Sequence, residues 1–175
     1  MTSPLAVLVG PPGVGKTSVA RILADRTGTT ARDTDEDIVR ITGRSVVRIF
    51  AEQGEPHFRS LEHEVAAAAL REHSGVVALG GGAVVHPGTR AALRGLPVVF
   101  LDAALGDVRD RLRGNGSRPL LRENFSEQWL ELMSVRRPLY LSVARSVVST
   151  HGRTPGQVAE AVLAALTGPP VGTAS

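Results

Sequence analysis

Apolar and polar residues follow one another along this 175-residue chain in two rhythms. Short continuous apolar runs at residues 5–9, 76–79, 97–101 and 146–149, with a weaker one at 29–32, have the length and composition of strands covered on both faces. Between them, apolar residues recur every three or four positions. That spacing predicts helices over about 15–27, 35–42, 45–53, 56–73, 88–94, 104–112, 126–142 and 155–167. Strands alternating with helices predict an α/β fold: a five-stranded parallel sheet with helices on both faces, in three αβα layers. Residues 1–167 then form a single domain. Residues 168–175, Gly-Pro-Pro-Val-Gly-Thr-Ala-Ser, keep neither rhythm and read as a disordered tail.

One internal stretch also keeps neither rhythm. Arg113-Gly114-Asn115-Gly116-Ser117-Arg118-Pro119-Leu120-Leu121-Arg122-Glu123-Asn124 is rich in glycine and arginine and lies between two helical patterns. It reads either as a plain surface loop or as a mobile lid, about residues 113–125, carrying an arginine to a phosphate. Glycines can serve as hinges, and phosphoryl transfer requires that water be excluded.

The first strand runs directly into Gly10-Pro11-Pro12-Gly13-Val14-Gly15-Lys16-Thr17. This is the G-x-x-x-x-G-K-T pattern, in which glycine N–H groups wrap phosphate oxygens, the lysine reaches the β- and γ-phosphates and the threonine hydroxyl is suited to Mg²⁺. A helix follows at once, so the phosphates would meet its N-terminus. A dinucleotide fingerprint G-x-G-x-x-G would need glycine where Ser18 stands. Composition sharpens the point. Lysine and arginine total 20, of which 19 are arginine, so Lys16 is the only lysine and it stands where a compact ammonium is required.

Further polar groups sit at the ends of the other predicted strands. Asp33-Thr34-Asp35 follows the second. Its carboxylates, two residues apart on an extended strand end, would face the same side, while Asp35 could equally cap the next helix. Glu55, Arg59 and Glu62 have the spacing of a solvated helical salt-bridge ladder. Gly80-Gly81-Gly82 follows the third strand, and three glycines suggest a ligand lying against the backbone. Arg136 and Arg137 precede Pro138 late in a predicted helix, where they would either stabilise the helix end or capture a carboxylate.

The bulk numbers exclude several classes. No cysteine is present, so disulfides, thiolate metal sites and thiol nucleophiles are absent. The five histidines (57, 63, 73, 86 and 151) form no ligand pattern for a transition metal. No run approaches 18 apolar residues and no basic segment precedes an apolar leader, so a soluble cytoplasmic protein without a membrane partner is expected. The sequence pI of about 10.5 overstates the charge, which is only +3, and aromatics are 3% of residues. A nucleic-acid partner is therefore not expected.

Taken in order, Asp33-Thr34-Asp35, Phe58-Arg59 with Glu62 three residues on, Leu79-Gly80-Gly81-Gly82-Ala83, Arg118-Pro119-Leu120-Leu121 and Arg136-x-Pro138-Leu139-Tyr140 resemble shikimate kinase over about residues 4–167. The resemblance implies a nucleoside monophosphate kinase-like fold and a monomeric enzyme that phosphorylates the 3-hydroxyl of shikimate with ATP and Mg²⁺, in aromatic amino-acid biosynthesis. It implies ATP binding by Gly13, Val14, Gly15, Lys16, Thr17 and Ser18, with Arg111, Arg153 and Pro155 flanking the adenine. Thr17 and Asp33 would attend the metal. Shikimate would meet Asp35 as base or orienting group, Arg59 and Arg136 at its carboxylate, Glu62 behind Arg59, the backbone of Gly80, Gly81 and Gly82, and walls of Phe50 and Phe58. Lys16, Asp35 and Arg118 would carry the catalysis.

A kinase for gluconate or an amino-substituted shikimate is the neighbouring reading. A nucleotide-sensing module and a catalytically silent relative are the readings from other classes. The former would need a recognition element for which 175 residues leave no room, and the latter the loss of Lys16, Asp35 or Arg118, all of which are present.

Overall fold

The computed structural model describes residues 2–114 and 124–169. The apolar runs are strands β1 (Ala6–Val9), β2 (Ala31–Asp33), β3 (Val76–Ala78), β4 (Val98–Asp102) and β5 (Ser146–Ser149), in the order β2-β3-β1-β4-β5. Every pairing is parallel, with Val7 opposite Val77 on one side and Val98 on the other. The helices are α1 (Lys16–Thr27), α2 (Thr34–Thr42), α3 (Val46–Glu72), α4 (Pro87–Ala92), α5 (Leu105–Gly114), α6 (Phe125–Val143) and α7 (Pro155–Thr167).

Strand periodicity sorts the core into two layers. Val7, Val9, Val77, Val98 and Phe100 point to one face, against α3, α5 and α6. Ala6, Leu8, Val76, Ala78, Val99 and Leu101 point to the other, against α1 and α7. Because both faces are covered, the central strands read as unbroken apolar runs. Burying each Val or Leu contributes about 1.5–3 kcal/mol, so the three middle strands carry much of the stability. β2 is one of the two edge strands and only half buried. Its Arg32 pairs with Asp37 at 2.6 Å and Glu72 at 3.0 Å. That polar face explains why its run was weak and why the strand starts two residues later than the pattern predicts.

α3 is two helical segments. Gly54, with φ 81° and ψ 167°, breaks it just ahead of Pro56, at the junction the 45–53 and 56–73 patterns predict. A third apolar cluster of Ile38, Ile49, Phe58 and Val65 ties the first segment and α2 to the second. The parallel sheet brings the C-terminal ends of all five strands to one edge, the usual place for a ligand crevice.

Candidate active site

That edge holds a cavity of about 660 Å³, within the range of small-molecule sites. Residues 12–19, Asp33, Asp35, Leu79, Gly81, Arg111, Pro155 and Val158 line it, so Gly13, Val14, Gly15, Lys16, Thr17 and Ser18 lie where the glycine-loop motif predicts. Gly15, at φ 98°, turns the chain into α1. Lys16 Nζ donates to the carbonyls of Gly10 at 2.7 Å and Pro11 at 3.0 Å, which folds the side chain back across its own loop. Burial pushes its pKa down to about 8, although the carboxylates of Asp35 and Asp33 pull it back up. Arg111, on α5, donates to the Val14 carbonyl at 2.5 Å and so sits on the rim of the loop. Pro155 lines the cavity, whereas the Arg153 guanidinium donates to Ser149 O at 2.9 Å. Arg118 and most of the 113–125 segment lie outside the described residues.

At the other end of the cavity three neighbouring aspartates have three different tasks. Asp33 Oδ1 accepts from the backbone N–H groups of Asp35 (2.9 Å) and Glu36 (3.3 Å), while Oδ2 accepts from the Thr17 hydroxyl. Asp33, not Asp35, therefore caps α2. The strand-end argument also needs correction: β2 stops at Asp33 and Asp35 is already helical, so the turn between them is what brings the two carboxylates together. Asp35 is left free to face the cavity. Burial, then the charge of Asp33, pushes its pKa up against the opposing pull of Lys16 and Arg59. Asp37 is nearly buried; burial would raise its pKa, but hydrogen bonds from Arg32 and Arg40 outweigh that and hold it low.

Arg59 is not part of a solvated ladder. Its guanidinium donates to Glu62 at 2.5 Å, and Glu62 is only 2% exposed. Arg59 Nε, itself buried, has Glu55 at 3.5 Å and no hydrogen-bond partner among the described residues. The rings of Phe50 and Phe58 flank the guanidinium, with its carbon 5.7 and 5.3 Å from their centroids. Burial pushes the Glu62 carboxyl up even though Arg59 pulls it down. Arg136 and Arg137 are mid-helix in α6 and stabilise no helix end. Arg137 pairs with Asp102 at 2.9 Å, while the charge of Arg136 reaches Lys16, Glu62 and Tyr140.

The three glycines are explained by their neighbours. A Cβ at Gly80 would lie 2.5 Å from Asp35 Oδ1 and 2.8 Å from Glu62 Oε1; at Gly81, 2.8 Å from the Pro12 ring; at Gly82, 2.0 Å from the Arg59 guanidinium. Each missing side chain is the room taken by a different protein group. The strip is pinned from two sides: Gly80 N–H donates to Thr34 Oγ1 at 3.0 Å, and the Tyr140 hydroxyl donates to Gly81 O at 2.5 Å. Sequence reasoning left out Thr34, Tyr140 and Pro12 from the site. Thr34 and Tyr140 were legible as polar residues inside the Asp33-Thr34-Asp35 and Arg136-x-Pro138-Leu139-Tyr140 motifs; the Pro12–Gly81 approach had no sequence signal.

Known proteins share this sequence pattern and fold. Residues 12–167 match the family model described as shikimate kinase. A shikimate kinase of Streptomyces coelicolor is 52% identical over 166 residues, covering 95% of this chain and 97% of its own. Among solved structures, shikimate kinase from Acinetobacter baumannii in complex with shikimate superposes with a TM-score of 0.84 at 33% identity, covering 93% of this chain and 92% of that one. A gluconokinase from Sinorhizobium meliloti, at 18% identity and TM-score 0.62 over 94% of this chain and 91% of its own, shares the fold alone.

Proposed function

The chain belongs to the shikimate kinase family, and we propose that its cavity transfers the γ-phosphoryl group of ATP to the 3-hydroxyl of shikimate, giving shikimate 3-phosphate and ADP. The observation that carries this reading is the arrangement around Gly80–Gly82: a carboxylate with a raised pKa, Asp35, against one end of the strip and a guanidinium, Arg59, against the other. An acceptor that is an anion at one end and carries hydroxyls at the other is complementary to that pair. Arg136, whose charge reaches Glu62 and Tyr140, completes the clamp on the carboxylate, with Glu62 and the rings of Phe50 and Phe58 holding Arg59 in place.

In the proposed step Asp35 orients the 3-hydroxyl and takes its proton as the oxygen attacks the γ-phosphorus, and the bond to the β–γ bridging oxygen of ATP breaks. The loop N–H groups and Lys16 bind the phosphates and offset the charge that spreads over the transferred group. Arg111 and Pro155 bound the nucleotide end, with Arg153 beside them. Arg118 is assigned to the transferring phosphoryl group by the resemblance of its Arg-Pro-Leu-Leu segment alone. Mg²⁺ fits the pair of hard oxygens formed by the Thr17 hydroxyl and the Asp33 carboxylate, with substrate phosphates as its other partners. When bound, it would neutralise phosphate charge. The reading extends to a cytoplasmic monomer, in which a single chain supplies every proposed contact.

The test is a coupled ADP-release assay with ATP and Mg²⁺ in which shikimate, aminoshikimate and gluconate are offered separately. Turnover with shikimate, and much less with the other two, is expected. Turnover with gluconate alone would keep the fold and overturn the assignment of the acceptor end. No turnover with any would favour a silent relative.

A further inference from the structure

α6 delivers Arg136 and, one turn later, Tyr140 to the same side of the site. Tyr140 is fully buried and its ring stacks on Phe100 of β4 at 5.0 Å, so only its hydroxyl is free to act. That hydroxyl donates its proton to the Gly81 carbonyl at 2.5 Å. Burial pushes the phenol up to about 12, while the charge of Arg136, one turn earlier on α6, pulls it down. The proton is committed to Gly81 by that hydrogen bond, and a phenol oxygen that donates one bond can still accept another.

The peptide between Gly81 and Gly82 is a trans plane, so its C=O and N–H point in opposite directions. Fixing the Gly81 carbonyl against Tyr140 therefore fixes the Gly82 N–H on the opposite side of the strip. Thr34, accepting from Gly80 N–H, holds the strip's other end. In a backbone free of Cβ constraint, these two hydroxyls act with the turn bonds Ala83 N–H to Gly80 O (3.0 Å) and Val85 N–H to Gly82 O (2.9 Å), and only Tyr140 holds the Gly81 carbonyl.

We propose that Tyr140 is a positioning residue for the acceptor: its hydroxyl joins the Arg136 guanidinium to the Gly81–Gly82 peptide, so that carboxylate clamp and backbone donor hold one relative geometry. This rests on the shikimate reading of the site above.

Tyr140→Phe keeps the ring on Phe100 and removes only the hydroxyl. It is expected to raise the KM for shikimate about tenfold, the order of one lost hydrogen bond to a charged group, with kcat and the KM for ATP within about twofold of wild type. In an Arg136→Ala background the same change should add less than its full effect, because the coupled partner is already gone. Amide hydrogen exchange provides a readout independent of the acceptor's identity. Residues 80–84 should exchange faster in Tyr140→Phe while residues 10–17 stay unchanged. An unchanged shikimate KM, a fully multiplicative effect with Arg136→Ala, equal rises in both KM values, or unchanged exchange at 80–84 would each overturn the proposal. Wild-type turnover of shikimate tests the underlying reading separately.

Discussion

At the phosphate end of the cavity, eight consecutive residues, 10–17, supply the loop, the ammonium and the hydroxyl. At the acceptor end, side chains from positions 34, 35, 59, 62 and 140 must meet over a strip at 80–82, with the charge of Arg136 reaching Glu62 and Tyr140. The first is a backbone device: given β1 before it and α1 after it, the loop's shape follows locally. The second is an interlock in which each glycine yields space to a different partner, so it exists only once four separate elements have packed. The two ends touch where Pro12 lies against Gly81. Local construction suits a group common to many enzymes, the triphosphate. Assembly from distant positions suits the part that must distinguish one acid from another.

The sharpest way to separate the ends is to remove one charge from each. Asp35→Asn should lower kcat by about 10²–10⁴-fold, the usual contribution of a positioned base. It should also raise Tm by a few degrees. The folded-state pKa of Asp35 is raised, so its favourable contribution exists below the ordinary aspartate pKa and is lost as pH rises through the folded value; at neutral pH its buried charge opposes folding. A drop in Tm on thermal melting would contradict that sign. Lys16→Ala, at the other end, should reduce kcat about 10³-fold with the far-UV circular dichroism unchanged. Near-normal turnover would remove Lys16 from the mechanism.

Smaller changes probe the interlock itself. Gly82→Ala places a carbon into the Arg59 guanidinium, so the KM for shikimate should rise roughly 10–100-fold while the KM for ATP holds, as expected for loss of a charged contact of about 1.5–3 kcal/mol. Gly81→Ala pushes on Pro12 instead and should raise both KM values by a few fold, because it strains the one place where the ends meet. If Gly81→Ala behaved like Gly82→Ala, the two ends would not be separable. The pH profile is the gentlest probe. kcat/KM for ATP should fall on the alkaline side near pH 8, where Lys16 loses its proton, and on the acid side above the ordinary aspartate range, where Asp35 gains one. An alkaline limb near 10.5 would mean that burial does not depress Lys16.

The same division explains what the sequence revealed. The glycine loop, the strands and the break at Gly54-Glu55-Pro56 were legible because each depends on neighbours within a few residues. The edge strand β2 was blurred because it is short and half-buried and its Arg32 faces ion-pair partners, which carry no periodic signal. Of the acceptor end, the residue types were visible and the partnerships were not. Arg59 and Glu62 looked solvated because spacing says nothing about burial, and Asp33 took the cap expected at Asp35 because the helix begins at Thr34, two residues before one capped by Asp35 would. Three adjacent glycines suggested a ligand against the backbone. Asp35, Pro12 and Arg59, which fill those spaces, are 45, 69 and 23 residues away in the chain, distances at which no local pattern operates.

Lys16 has a consequence for covalent chemistry. It is the only lysine in the chain, and its amine, with a pKa near 8, is close to half neutral in mildly alkaline buffer. The neutral amine is the nucleophile, so acylating or aldehyde reagents at that pH meet one lysine, located in the phosphate loop, and the chain's α-amine. Acylation of Lys16 therefore removes the ammonium and turnover together, and mass spectrometry of a single modified side chain reports occupancy of the loop: nucleotide bound there shields the site, while an acceptor bound at the other end alone leaves it open to the reagent.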